Sequence, residues 1–312
     1  MTVSTTSPQQ AVSAGLAVQR GRSFFGDMGR PLGLLLPALV LAALVMLVPL
    51  MNIIGQSFHT QMGVAIDRAF SLENYRILFS DEGRVFRLLL VRSLGIAFAA
   101  TVIVILVAYP VAYFLAFHAG RSRMVWLMLI TIPFWTSYLL RVFAWKIILG
   151  FNGVINSALL TTGLIEKPIE SLLYSQTAVI LTLVHSWAPF AVLPIYVSLE
   201  KVDRLLLDAA ADLGDTPLRS FWSVTLPLSM PGVLAATLMI FIPTVGDYVT
   251  PSLVGGRNGL MIGNYISELF GQASNIPLGS AMAVGTMVII SLLVAIYLAI
   301  LGRVVPRAEG RK

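Results

Sequence analysis

Residues 199–229 read LEKVDRLLLDAAADLGDTPLRSFWSVTLPLS, a polar stretch carrying leucines and aromatics between two apolar runs. Asp203 stands where an N-cap belongs and Gly214 where a helix stops, so the first half predicts a helix. Thr216 followed by Pro217 repeats the start signal, an N-cap with proline at the first helical position. It predicts a second short helix through Leu218, Phe221 and Trp222. Two short helices that show leucines and aromatics to water need something to bury them, and a patch of this kind marks a partner site.

On either side of this stretch the sequence is built for lipid. Of its 312 residues 57% are hydrophobic and 12% charged, against about 45–50% and about 25% in a soluble domain, and the mean hydropathy is +0.86. Six apolar runs lie near 32–55, 93–117, 124–148, 177–198, 231–250 and 281–302. A helix needs about 20 residues to cross about 30 Å of hydrocarbon, and lipid offers no partner for open backbone groups, so each run predicts a transmembrane helix. An even number of spans puts both termini on one side. Twelve Lys and Arg, among them Arg121, Arg123, Lys201, Arg204 and Arg219, fall in segments on that side, and seven, among them Arg68, Arg87 and Arg257, on the other. The positive-inside bias therefore predicts cytoplasmic termini.

The same distribution accounts for the net charge of +6 without a nucleic-acid partner. Residues 1–30 have no apolar core of a signal peptide and predict a poorly ordered cytoplasmic tail; 306–312 predict a basic one. With no cysteine there is neither a disulfide nor a thiolate metal site, and no metal centre is expected. No GxxxxGK[ST] phosphate loop occurs, so the chain is expected to be no ATPase and to hold no cofactor. Pro110, Pro133, Pro189, Pro194 and Pro243 punctuate the second to fifth runs and predict kinks.

The spacing Asp208-Ala209-Ala210, three residues, Gly214, nine residues, Val224, one residue, Leu226-Pro227 resembles the EAA motif of permease subunits of binding-protein-dependent ABC importers. Asp stands for the family's Glu and Val for its Ile, with every spacing kept. The resemblance implies an all-α, MetI-like membrane domain of six helices over 31–305, in a bacterial inner membrane. It implies that 199–229 is the coupling loop that docks on a cytoplasmic ABC ATPase dimer, through Asp208, Ala209, Ala210, Gly214, Leu226 and Pro227. ATP and Mg would be bound by that dimer, and the other partners would be a second, homologous permease, a periplasmic substrate-binding protein and membrane lipid. Asp208 suits a charge-assisted contact with a basic group on such a partner.

Three further segments narrow the branch. Tyr109-Pro110-Val111-Ala112-Tyr113 is similar to a YP-x-AY segment common to these permeases. Pro133-Phe134-Trp135-Thr136-Ser137-Tyr138-Leu139-Leu140-Arg141, with Ala144-Trp145, resembles the P-x-W-T-S-x-L-x-R…A-W pattern of spermidine/putrescine permeases. Gly246-Asp247-Tyr248-Val249-Thr250-Pro251-Ser252-Leu253-Val254-Gly255-Gly256, with Met261-Ile262-Gly263, resembles their G-[ED]-[FY]-x-x-P-x-L-x-GG…IG stretch. The resemblance implies a polyamine or related organic cation as solute; importers of opines and amino-acid derivatives share much of the pattern.

Charged groups inside the bilayer are costly and face a cavity or one another. Arg141 and Asp247 fall at similar depth, and two readings stand open. They form an ion pair between the third and fifth spans, or Asp247 faces the pathway and attracts an ammonium, with Tyr248, Trp135 and Tyr138 as cation–π partners. His185 reads as a hydrogen-bonding residue within the bundle, and 251–279 as a connection with a short re-entrant or interfacial helix, or as part of a surface for a binding protein. A secondary transporter would want more intramembrane acids than Asp247, and a membrane enzyme more than the scattered His59, His118 and His185.

Overall fold

The computed structural model describes residues 24–63 and 65–304. Six stretches are helical, long and apolar enough to cross a bilayer: Leu35–Ser57, Arg84–Phe117, Tyr138–Thr161, Gln176–Glu200, Pro217–Val245 and Ile276–Ile300. The chain divides into two compact units, up to Gly55 and from Gln56 onward. The described part of the first is helix α1 (Phe24–Ser57), whose last two residues belong to the second. It starts within the segment expected to be a tail, so 24–30 are helical; residues 1–23 and 306–312 lie outside the described residues.

The second unit opens with a small hairpin, β1 (Thr60–Met62) antiparallel to β2 (Ala65–Asp67), which the all-helical expectation did not include. Helix α2 (Glu73–Phe79) follows. Buried Asn74 donates from Nδ2 to the carbonyls of Ser57 (3.1 Å) and His59 (2.7 Å), and Arg87 donates to those of Leu78 (2.8 Å) and Ser80 (2.7 Å), closing the end of α2.

Three long helices, α3 (Arg84–Phe117), α7 (Gln176–Glu200) and α10 (Leu226–Val245), pack on one another. Their shared core alternates small and large residues: Ala108, Ala112 and Leu115 meet Ala191, Ile195 and Leu199, with Ala236 and Ile240. Lipid tails are as apolar as leucine, so close approach, dispersion and hydrogen bonds hold such helices together, and the alanines permit that approach. Tyr109 and Ser229 share a 2.8 Å hydrogen bond inside this core. Pro110, Pro189, Pro194 and Pro243 all lie inside continuous helices.

The expected third helix, 124–148, is not continuous. α4 (Arg123–Thr131) gives way to a 3₁₀ turn at Ile132–Trp135 and an extended residue, Thr136, before α5 (Tyr138–Leu149) and α6 (Val154–Thr161). Pro133 has no N–H to continue the ladder. Threonine hydroxyls serve the neighbouring carbonyls: Thr131 donates to Leu127 (3.0 Å) and Met128 (2.9 Å), and Thr136 to Pro133 (2.6 Å).

The fifth run, expected over 231–250, breaks as well. α10 ends at Val245, and Asp247 Oδ1 takes the N–H groups of Val249 (2.9 Å) and Thr250 (3.3 Å), starting a new turn. A π turn at Pro251–Gly255 leads to α11 (Gly256–Gly259) and then to α12 (Ile262–Phe270), so the short helix expected within 251–279 is present. α13 (Ile276–Val304) is the last helix.

Ser93, fully buried in α3, donates to the Leu89 carbonyl (2.8 Å) and accepts from Ile262 N–H (2.7 Å), anchoring the start of α12. Ser93→Ala would orphan that N–H. The expected cost is about 1–3 kcal/mol, read as a lower melting temperature of the purified chain; an unchanged melting temperature would show that Ile262 finds another acceptor.

Candidate functional site

The loop at 199–229 folds as its cap residues direct. α8 runs Arg204–Asp212, with Asp203 Oδ1 accepting from Leu205 N–H at 3.0 Å. It ends in a Schellman motif: Gly214 N–H bonds the Ala211 carbonyl (2.9 Å), Asp215 N–H bonds that of Ala210 (3.0 Å), and Gly214 sits at φ +88°. A side chain at Gly214 would be strained there, so glycine is the residue the turn requires. Thr216 accepts from Arg219 N–H at 3.4 Å, and Pro217 opens α9 (Pro217–Ser220).

The second short helix is not separate. α9 passes through a π turn at Phe221–Thr225 directly into α10, so the loop's second half is the first part of the fifth span. The loop's second half and the fifth span are therefore one continuous helical stretch. Phe221 packs edge-on against Tyr109 at 5.6 Å, and Arg123 and Glu200 pair at 2.7 Å where α4 and α7 meet the loop.

The motif residues divide by exposure. Asp208 and Ala209 face solvent, and Leu205, Leu213, Leu218 and Trp222 beside them are 71%, 89%, 70% and 61% exposed. Ala210 is buried, and Leu226 packs against the three-helix core with Pro227 in the first turn of α10. One half of the motif thus presents a surface and the other anchors it.

The polar residues of the spans gather elsewhere, around a cavity of about 320 Å³ lined by Tyr138, Arg141, Ser186, Trp187, Phe190, Pro243, Gly246, Asp247 and Tyr248. The structure brings Arg141 and Asp247 to one cavity but not into a direct ion pair. Asp247 Oδ2 accepts from the Tyr138 hydroxyl at 2.6 Å, and that hydroxyl also lies 2.5 Å from Thr250 Oγ1. Arg141 donates from Nη1 to the Ser186 carbonyl at 3.2 Å and lies over the rings of Phe134 and Tyr138, 5.7 Å from each centroid. The third and fifth spans are joined through the tyrosine, one helical turn before Arg141, whose hydroxyl reaches the carboxylate.

Tyr138 and Tyr248 stand on the cavity wall, whereas Trp135, on the 3₁₀ turn, is 91% exposed and lies outside it. Ser186 and Phe190 escaped the sequence reading. Their signal was the helical spacing 186, 187, 190, which puts one polar and two aromatic groups on a single face. His185 points elsewhere and packs edge-on against Trp145 at 5.5 Å. Gly246 and Tyr248 also border a larger apolar groove between α10, α12 and α13.

The chain is thus a multi-span helical membrane protein whose exposed, doubly capped loop runs directly into one of its spans. A family profile described as "Binding-protein-dependent transport system inner membrane component" matches residues 105–310, and the chain belongs to that family. It is 36% identical over 253 residues to the spermidine/putrescine transport system permease protein PotB of Haemophilus influenzae, covering 80% of this chain and 87% of that one. It is 31% identical over 285 residues to the inner membrane ABC transporter permease protein YdcU of Escherichia coli, covering 86% and 88%. Among solved structures, a bacterial alginate ABC transporter in complex with alginate pentasaccharide-bound periplasmic protein shares the fold, with a TM-score of 0.69 at 14% identity over 91% of this chain and 98% of that one. The chain is a multi-pass inner-membrane permease of the ABC importer type.

Proposed function

We propose that this chain forms half of the translocation pathway for a polyamine or related organic cation, paired with a second, homologous permease. ATP and Mg bind on a cytoplasmic ATPase dimer that docks on 199–229, and a periplasmic binding protein delivers the solute on the opposite side. Both termini are cytoplasmic, and this chain has no ATPase site of its own. The observation that carries the reading is the exposed face of α8, set on a loop continuous with the fifth span. Closure of the ATPase dimer draws the two permeases' loops together and tilts that span, and the cavity beside Asp247 opens outward; hydrolysis resets it.

The test is purification of the tagged chain from native membranes in mild detergent, with every co-purifying protein identified by mass. A P-loop ATPase and a second six-span permease are expected. A chain that purifies alone and transports without ATP overturns the reading.

Asp247→Asn separates the roles of the cavity acid. Its amide oxygen can keep the Val249 and Thr250 N–H bonds while its NH2 donates to the Tyr138 hydroxyl, and the charge is removed. The expected result is normal assembly with ATP-dependent putrescine uptake reduced by about tenfold or more, as for loss of one charged partner of a partly desolvated ammonium. Normal uptake per assembled complex with reduced assembly would mean that Asp247 only holds the spans together.

A further inference from the structure

The segment of α3 from Tyr109 to Tyr113 lines neither the cavity nor the exposed face of the loop. Its two rings converge on one residue of the loop. Phe221 stands edge-on to Tyr109 at 5.6 Å and to Tyr113 at 6.2 Å, with interplanar angles of 87° and 72°. Aromatic pairs favour this arrangement at these distances, so the contact is directional as well as apolar. Beside it the buried Ser229 hydroxyl donates to the Leu226 carbonyl at 3.0 Å, which leaves the Tyr109 hydroxyl as donor in their 2.8 Å bond. The base of the fifth span is therefore held to the second span by a ring contact and by a buried hydrogen bond.

The backbone fixes this contact to the loop. Pro227 has no N–H to return to the carbonyl of Ser223, so the helix is one donor short at that point. The register widens there: Leu226 N–H bonds the Phe221 carbonyl, five residues back, in the π turn Phe221–Thr225. Single π turns inside α-helices concentrate at functional sites. On its outer flank Phe221 meets Trp222 at 5.4 Å, and Trp222 belongs to the exposed surface of the loop. On its inner flank Tyr109 is part of the core in which α3 packs on α7. Trp187 of α7 packs against that core and also lines the cavity. An unbroken run of contacts leads from the exposed surface through Phe221 to the cavity wall.

We propose that Phe221 is a positioning residue of transport: through it the rings of Tyr109 and Tyr113 take up movement of the loop and pass it to α3. This rests on the importer reading and adds a route to it, since the loop then drives the second span as well as the fifth. Tilting α10 alone would draw Phe221 away from the two rings and part Tyr109 from Ser229, leaving buried polar groups unmet. α3 follows instead, and α7 with it, because their shared core is close-packed and shifts as a body rather than deforming. A packing role and a transmitting role differ in one respect: only the second changes how α3 responds to nucleotide on the ATPase.

The experiment follows amide hydrogen exchange in the assembled permease–ATPase complex in nanodiscs, first without nucleotide and then with the ATPase trapped by ADP and vanadate. In the unmodified complex exchange is expected to change both in the loop, 204–225, and at the end of α3, 109–118. Tyr113→Leu keeps apolar volume and removes the ring. It is expected to leave the loop's change intact and to reduce that of 109–118 by about threefold or more. Tyr113→Phe keeps the ring and restores the response. With equal ATPase content, putrescine taken up per ATP hydrolysed is expected to fall by about tenfold in Tyr113→Leu. Should Tyr113→Leu fail to assemble, Phe221→Leu removes the ring from the other side and carries the same expectation. A response of 109–118 that survives loss of the ring overturns the proposal, as does its absence from the unmodified complex. An equal loss in Tyr113→Phe overturns it too. Failure of the importer reading is visible earlier and separately, as absence of the ATPase from the purified complex.

Discussion

Asp208→Lys is expected to abolish ATP-dependent uptake while the chain still folds and still pairs with its second permease. Asp208 lies exposed on α8 and, among the described residues, its side chain makes no hydrogen bond or ion pair, so no side-chain bond within the chain is lost on reversing its charge. The helix keeps its Asp203 cap and its Gly214 stop. The change falls on the surface shared with Leu205 and Leu213, which offer the apolar part of a contact and leave Asp208 to supply its charge. Placing like charges across an interface costs several kcal/mol, enough to weaken docking by about a hundredfold or more. The readout is the amount of ATPase that co-purifies with the variant, measured beside uptake. Full retention of the ATPase together with normal uptake would remove Asp208 from the contact and leave the leucines as its substance. Gly214→Val should act in the same direction by a different route, because a β-branched residue at φ +88° breaks the Schellman turn that aims α8.

What was legible in the sequence follows from how local each signal is. The ends of α8 and the start of α9 depend on Asp203, Gly214, Thr216 and Pro217 acting within a few residues; the first three make the expected bonds and Pro217 opens α9. The spans were visible through length and hydropathy alone. Hydropathy says nothing of continuity, however. Pro133 breaks its run while Pro110, Pro189 and Pro194 stay inside helices. At Pro133 the hydroxyls of Thr131 and Thr136 serve nearby carbonyls as the chain turns. That turn also explains Trp135, which a continuous helix would place near Tyr138 and the 3₁₀ geometry leaves outside the cavity. The meeting of Arg141 and Asp247 at one cavity could be read from their depth. Which group would bond the carboxylate could not, because Tyr138, Arg141 and two backbone N–H groups compete for it and only the three-dimensional arrangement decides.

Gly232→Val is expected to remove the folded chain from the membrane altogether. At Gly232 α10 lies tight against α7: a Cβ there would stand 2.4 Å from the Pro194 carbonyl oxygen, 2.5 Å from Ser198 Cβ and 3.1 Å from Ile195 Cα. These are backbone and near-backbone atoms of a long helix, and none can swing aside as the end of a flexible side chain would. Accommodating the methyls means separating the two helices. That also breaks the 3.2 Å bond from Gly232 N–H to Ser198 Oγ and opens the core in which Ile195, Leu199, Ala236 and Ile240 meet. In water the hydrophobic effect would oppose such a separation. In lipid it does not, since the tails cover exposed leucines as readily as a neighbouring helix does, and dispersion lost at the contact is lost outright. Overpacking of this kind costs about 1–3 kcal/mol for one methylene, and two methyls driven toward fixed backbone exceed that range. Gly232→Ala should therefore accumulate at a reduced level with a lowered melting temperature, and Gly232→Val not at all. Gly95→Ala is the control: it lies in α3, a Cβ there meets nothing within 4 Å, and alanine is the better helix former, so its melting temperature should be unchanged or raised. Should Gly232→Val accumulate with a normal melting temperature, the contact between α7 and α10 would not be the one that holds the three-helix core together.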